Sequence, residues 1–257
     1  MPTLILILGR YGTGKSVSAA TIGYLGKTIY YALDENINSI KTTKNEEGKL
    51  VISKKALDNI KFITSKDIRV EDRIRRPVFA SVSKGEVAPP APFYAENMYD
   101  TLMEFYTKQE EIFKETPDAV VIDSLSTYIA MHVNSTMTIN NVGSLRIQDY
   151  GTINRGVMDA FLGNLKNLPC KWVIVVGHLK FVEDRNTGNQ LSVPVTSSDN
   201  LSALVPTAFS EVYIQRRETT TPFWLTCPEG LYTGSTKLNV PQVVNPADFR
   251  EISKFLQ

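Results

Sequence analysis

The sequence predicts an α/β chain, a mostly parallel, doubly wound sheet with antiparallel strands added at its C-terminal edge. Three observations carry that expectation. The apolar run Leu4-Ile5-Leu6-Ile7-Leu8 leads directly into the glycine-rich stretch Gly9-Arg10-Tyr11-Gly12-Thr13-Gly14-Lys15-Ser16. Short β-branched and apolar runs then alternate with stretches of helical periodicity as far as His178, the pattern of parallel strands covered by helices. Beyond His178 the runs are short and separated by polar turns. At 257 residues the chain buries about 75% of its unfolded surface by size scaling. It reads as a single domain, with a core over about 1–180 and a strand extension over about 205–257.

Residues 3–8 read as the first strand and 15–25 as the first helix, with Gly26 suited to the C′ position. The β-branched and aromatic run 28–33 is the second strand and ends in Asp34-Glu35. Asn45-Glu46-Glu47-Gly48 reads as a turn, 61–64 as a strand, and Ala88-Pro89-Pro90-Ala91-Pro92 as a stiff connector. Met98, Leu102, Phe105 and Ile112 predict a long amphipathic helix over 94–115, before a strand at 119–122. A helix over 146–168 follows, with Tyr150, Ile153, Val157, Phe161 and Leu165 on one face, and its partner strand is 172–176. Stretches 132–145 and 179–201 hold little apolar material and read as loops, the second with a hairpin turn at Asn186-Thr187-Gly188-Asn189. Residues 211–217, 223–226 and 231–233 are expected as short antiparallel additions to the sheet edge.

The spacing G-x-x-x-x-G-K-[ST] at 9–16 is a complete P-loop. Its glycines let backbone N–H groups converge on a phosphate, and the helix that follows offers its positive end to the same anion. Gly9, Tyr11, Gly12, Thr13, Gly14, Lys15, Ser16 and Val17 are the expected nucleotide contacts. Lys15 would reach the β and γ phosphates, and the Ser16 hydroxyl would ligate Mg²⁺. The run Asp118-Ala119-Val120-Val121-Ile122-Asp123-Ser124 is a buried strand that delivers a carboxylate to the carboxyl edge of the sheet. Asp123 is the Walker B candidate, holding the metal through water. ATP and Mg²⁺ are the expected ligands.

Composition narrows the alternatives. A formal net charge of +1 draws the chain to neither nucleic acid nor membrane as a whole, so such contacts must come from local patches. Cys170 and Cys227 lie far apart without C-x-x-C spacing, which argues against structural zinc and a disulfide framework. The opening apolar segment is too short to span a bilayer and runs into the P-loop, so no export signal is read. A cytoplasmic protein without a membrane partner is expected.

Asp34 and Glu35 end the second strand at the same edge as the P-loop, where a carboxylate can orient water for attack on the γ phosphate. Either can equally be a helix cap, and Glu35 is favoured over Asp34. His178 ends the strand expected beside Asp123; it is either a γ-phosphate sensor or a structural histidine. Arg69, Arg73, Arg75 and Arg76 are diluted by Asp67, Glu71 and Asp72 and read as a solvated face.

The order of P-loop, Asp34-Glu35, Asp123-Ser124 and Gly177-His178 resembles a RecA-type ATPase core. More narrowly, three runs resemble the phage-encoded RecA-like AAA-type ATPases, the Sak-type single-strand annealing and recombination proteins. They are Val175-Val176-Gly177-His178-Leu179-Lys180, Leu204-Val205-Pro206 leading to Phe209-Ser210-Glu211-Val212-Tyr213, and Thr226-Cys227-Pro228-Glu229-Gly230-Leu231-Tyr232 with Lys237 beyond. The resemblance implies ATP-dependent binding of single-stranded DNA by a homo-oligomer in phage recombination, alongside recombination or single-strand-binding proteins. Lys180, Arg185 and Arg146 are then the candidate DNA contacts. The family type also implies a basic residue that reaches the γ phosphate of a neighbouring subunit; Lys237 is the candidate, with Arg216 and Arg217 behind it. Where the family carries a second basic residue, this chain has Leu238 and Asn239. A nucleic-acid motor on the same core, such as a helicase or packaging subunit, stays open. A small-molecule kinase is disfavoured, because residues 180–200 hold a single Arg where a kinase lid is Arg-rich.

Overall fold

The computed structural model describes residues 1–34, 37–64, 116–140, 142–183, 188, 190–229 and 232–255. The expected connector at 88–92, the helix over 94–115, the arginines at 69–76, Glu35 and Arg185 lie outside the described residues.

The strands are β1 (Thr3–Gly9), β2 (Thr28–Ala32), β3 (Ile60–Thr64), β4 (Ala119–Asp123), β5 (Trp172–Glu183), β6 (Gln190–Pro194), β7 (Glu211–Arg217), β8 (Pro222–Leu225), β9 (Pro228–Glu229), β10 (Tyr232–Thr233) and β11 (Val243–Val244). They form a sheet in the order β11-β8-β7-β1-β5-β4-β2-β3, with β6 paired to β5 outside this path. From β7 through β3 every neighbouring pair is parallel, whereas β8, β11 and β6 join antiparallel. The expected α/β architecture is therefore present. β9 and β10 form a separate two-stranded ribbon.

Alternation of side chains along each parallel strand sorts the core into two layers. Leu4, Leu6, Leu8, Val120, Ile122, Val173 and Val175 face one layer; Ile5, Ile7, Ala119, Val121, Ile174 and Val176 face the other. Strands buried on both faces need a near-continuous apolar run, and β1, β4 and β5 supply it. The second layer is covered by α1 (Lys15–Ala20), the 3₁₀ turn Thr21–Tyr24, α2 (Ile37–Thr42), α3 (Lys54–Asp58) and a C-terminal helix, Phe249–Ser253, as Val17, Ile22, Ile40, Ala56, Phe249 and Ile252 join its apolar cluster. The first layer receives α4 (Leu125–Ile139) and α5 (Ile147–Arg155), the latter continuing as a π-helical segment over Gly156–Leu162. The face predicted for 146–168 is borne out at Ile153, Val157, Phe161 and Leu165, all fully buried. Gly156 lets α4 and α5 cross closely, since a Cβ there would lie 2.2 Å from His132 Nε2.

Three expectations are corrected. Residues 132–139 are the second half of α4 rather than loop. Their Asn, Ser and Thr content disfavours helix intrinsically, but Leu125, Tyr128, Ile129, His132 and Thr136 recur at helical spacing and are buried, and packing outweighs propensity. Residues 179–183 and 190–194 are likewise not loop: β5 runs on past His178 and pairs antiparallel with β6, while the turn expected at 186–189 lies, but for Gly188, outside the described residues. Finally, β7 is parallel to β1, so only β8 and β11 are antiparallel additions at this edge. Its run Val212-Tyr213-Ile214 is buried on both faces, as an interior parallel strand requires.

Candidate nucleotide site

The P-loop leaves β1 at the carboxyl edge of the sheet. Gly12 (φ 77°) and Gly14 (φ 86°) take left-handed backbone conformations that disfavour side chains, and Gly14 is the N-cap of α1. Gly9 serves by its size: a Cβ there would lie 2.8 Å from both the Gln215 carbonyl and Thr13 Oγ1. The Lys15 ammonium is buried and donates to the Arg10 carbonyl at 3.0 Å. Burial lowers its pKa, against the pull of Asp123 and Asp34.

Period-two alternation decides what else reaches this point. Asp123 ends β4 in phase with Ala119 and Val121, on the α1 face, and is 5% exposed. It pairs with Ala32 of β2, and Tyr30, two residues before Ala32, shares its face. The Tyr30 hydroxyl donates to Asp123 Oδ2 at 2.7 Å. Burial raises the Asp123 pKa, while hydrogen bonds from Ser16 and Tyr30 and the charge of Lys15 act in the opposite direction. The cluster is thus a buried lysine, a hydroxyl and a buried carboxylate, the donor set for a phosphate chain with a magnesium ion. Among the described residues no cluster of three or more His, Cys, Asp or Glu offers a self-contained metal site.

The structure places Asp34 just beyond β2, where Oδ1 accepts from Ser124 Oγ at 3.2 Å and from the Thr127 hydroxyl. His178 lies in β5, between the P-loop strand and the Asp123 strand; it pairs with Gly9, while Asp123 pairs with Val176. Its ring stacks on Tyr11 at a centroid separation of 6.5 Å. Burial, and secondarily Lys15, lowers its pKa against Asp34, which favours the neutral imidazole. Two supports were not foreseen. One is Tyr30. The other is Gln215 of β7, 1% exposed, whose Nε2 donates to the Thr13 carbonyl at 2.7 Å and whose Oε1 accepts from Trp224 Nε1 at 2.9 Å. The signal available for Gln215 was a polar residue in phase with Tyr213, directly after the apolar run Val212-Tyr213-Ile214.

A cavity of about 860 Å³ joins these groups, lined by the P-loop, Asp34, Asp123, Ser124 and His178, and by Arg217 and the turn beyond it. The family model described as an AAA domain matches residues 1–240. The chain belongs to the AAA domain family. No curated protein matches by sequence. Solved structures similar to this AAA domain include the RadB recombinase (14% identity, 89% of this chain and 84% of that chain, TM-score 0.44). The flagellar accessory protein FlaH from Methanocaldococcus jannaschii shows 16% identity over 94% of this chain and 83% of its own, with TM-score 0.43. A KaiC-like protein from Pyrococcus horikoshii OT3 shows 12% identity over 94% and 88%, with TM-score 0.45.

The remaining expected site residues of this AAA domain lie elsewhere. Lys180 is in β5, ion-paired to Asp199 at 2.9 Å. Arg146 caps α5 and pairs with Asp149 at 3.0 Å. Lys237 is exposed, with no ion pair among the described residues. Its loop is clasped by the buried Glu211, whose Oε1 accepts from the Lys237 and Leu238 N–H groups at 2.8 and 3.2 Å. Glu211 pairs with Ile5, four residues before Gly9, so this clasp sits away from the P-loop edge. No helix among the described residues is long and apolar enough to cross a membrane.

Proposed function

We propose that this AAA domain is a magnesium-dependent ATPase with a RecA-type core that binds single-stranded DNA as a homo-oligomer, in recombination or annealing of the phage-encoded kind. The observation that carries the ATPase reading is the convergence of Lys15, Ser16 and Asp123 at one end of a cavity large enough for a nucleotide. The P-loop N–H groups hold the phosphates, and Lys15 moves from the Arg10 carbonyl to the β and γ oxygens. Bound Mg²⁺ would neutralise the phosphate charge, ligated by the Ser16 hydroxyl and held through water by Asp123. Two hydroxyls hold Asp34 Oδ1, and Glu35 is assigned, over Asp34, as the water-orienting carboxylate. The neutral His178 senses the γ phosphate as a hydrogen-bond donor. Lys237 is the cation offered to a neighbouring subunit, with Arg217, which lines the chain's own cavity, and Arg216 behind it.

DNA contacts are assigned to Lys180, Arg185 and Arg146. For Lys180 and Arg146, DNA phosphate replaces the carboxylates of Asp199 and Asp149. The test is ATP turnover and oligomeric mass measured together, with and without single-stranded DNA. Stimulation of turnover with an assembled oligomer supports the reading. Turnover indifferent to DNA but dependent on a phosphoryl acceptor would make the chain a small-molecule kinase, and strand displacement would make it a motor.

A further inference from the structure

The nucleotide cavity does not stop at the phosphate cradle. Its lining also includes Tyr24, Leu50, Val51, Ala247 and Arg250, with the polar turn residues Asn45, Glu46 and Glu47. Arg250 lies over Tyr24, with its guanidinium carbon 4.0 Å from the ring centroid. Asp248, 5% exposed at its side chain, holds that guanidinium in place. Nε donates to Oδ1 and Oδ2 at 3.1 and 3.0 Å, Nη2 donates to Oδ2 at 2.5 Å, and the Arg250 N–H donates to Oδ1 at 2.8 Å. Tyr24 is fixed in turn: its hydroxyl donates to the Val51 carbonyl at 3.0 Å and accepts from the Ser53 N–H at 2.8 Å. The segment carrying Arg250 is tied to the start of β8, because the Ala247 N–H donates to the Pro222 carbonyl at 2.8 Å, and Pro222 lines the same cavity. A guanidinium held over one aromatic ring can offer its other face to a second π system.

We infer that the base of the bound nucleotide stacks on the outer face of Arg250, so that the chain selects purine over pyrimidine nucleotides. The inference rests on the nucleotide reading above. A purine covers more of the guanidinium plane than a pyrimidine, which sets the preference. Both Asp248 oxygens are taken by Arg250, and the Tyr24 hydroxyl is engaged as donor and acceptor, so this platform acts through its face rather than by reading a base edge.

Titration calorimetry of the full chain with ATP, GTP, CTP and inorganic tripolyphosphate, in magnesium, tests this. Wild-type protein should bind CTP about tenfold more weakly than the tighter of ATP and GTP, the scale of one well-placed cation–π stack. Arg250→Ala should weaken ATP about tenfold and leave tripolyphosphate within about twofold. CTP bound as tightly as the purine nucleotides, or an Arg250→Ala loss shared equally by tripolyphosphate, overturns the inference. The comparison among bases needs no variant, so misfolding of Arg250→Ala does not remove the test. Tripolyphosphate that fails to bind, or binds Lys15→Ala as well as wild type, marks failure of the nucleotide reading instead.

Discussion

The Tyr30 hydroxyl donates to the Asp123 carboxylate at 2.7 Å across two adjacent parallel strands. That bond favours the charged carboxylate inside a site where burial favours the neutral acid. Tyr30→Phe should therefore raise the Asp123 pKa further and move the acid limb of the ATPase profile to higher pH. Removing the donor should cost about 1 kcal/mol of stability. Because the folded-state pKa is raised above the ordinary value, stability contributed by this group falls as pH rises out of the carboxylate range. The melting-temperature gap between variant and wild type should widen in the same direction. Thermal melts and rates across a pH series check both; a variant with the wild-type acid limb would show that Asp123 is not the titrating group.

Gln215 braces the P-loop from the next strand. Gln215→Leu leaves the Thr13 carbonyl and the Trp224 N–H without their partners, at a cost of about 2–4 kcal/mol for two buried polar groups. ATP affinity should fall with it, since Thr13 is part of the cradle. Denaturant unfolding and nucleotide titration on the same preparation measure the two effects.

Gly9→Ala places a methyl group against the Gln215 carbonyl and Thr13 Oγ1. Overpacking of this kind costs about 1–3 kcal/mol and must shift backbone, because one of the two neighbours is a main-chain oxygen. Phosphate binding should weaken while the secondary structure content by circular dichroism stays native.

Lys15→Ala should lower turnover by at least about a hundredfold, the scale of removing one preorganised charge from a transition state. Asp123→Asn should impair magnesium-dependent turnover more than ATP binding, because the backbone cradle still holds the phosphates. Equal losses of affinity in both variants would argue against the division of labour between them.

Lys237→Ala should reduce turnover without changing ATP affinity of separated subunits. Mixing it with Lys15→Ala should restore part of the activity, as some interfaces then pair an intact P-loop with an intact Lys237. A cation supplied by a partner is worth about 10³–10⁵ in turnover in other P-loop enzymes. Absence of rescue in a chain that is demonstrably oligomeric would return Lys237 to the surface.

Local order in the chain was enough for the P-loop, the Asp123 strand and the succession of parallel strands. A G-x-x-x-x-G-K-S run and apolar runs of strand length are legible from neighbouring residues alone. Pairing direction and reach were not legible in that way. β7 is parallel because it docks against β1, some two hundred residues earlier in the chain, and β5 extends past His178 because β6 returns to pair with it. Residues 132–139 are helical because buried side chains at helical spacing outweigh their weak intrinsic preference. The same division holds within the site. Lys15, Ser16 and Asp123 announce themselves by motif. Tyr30 and Gln215 are ordinary strand residues in sequence, and acquire a role only because strand register and the two-residue alternation turn them toward the P-loop from neighbouring strands.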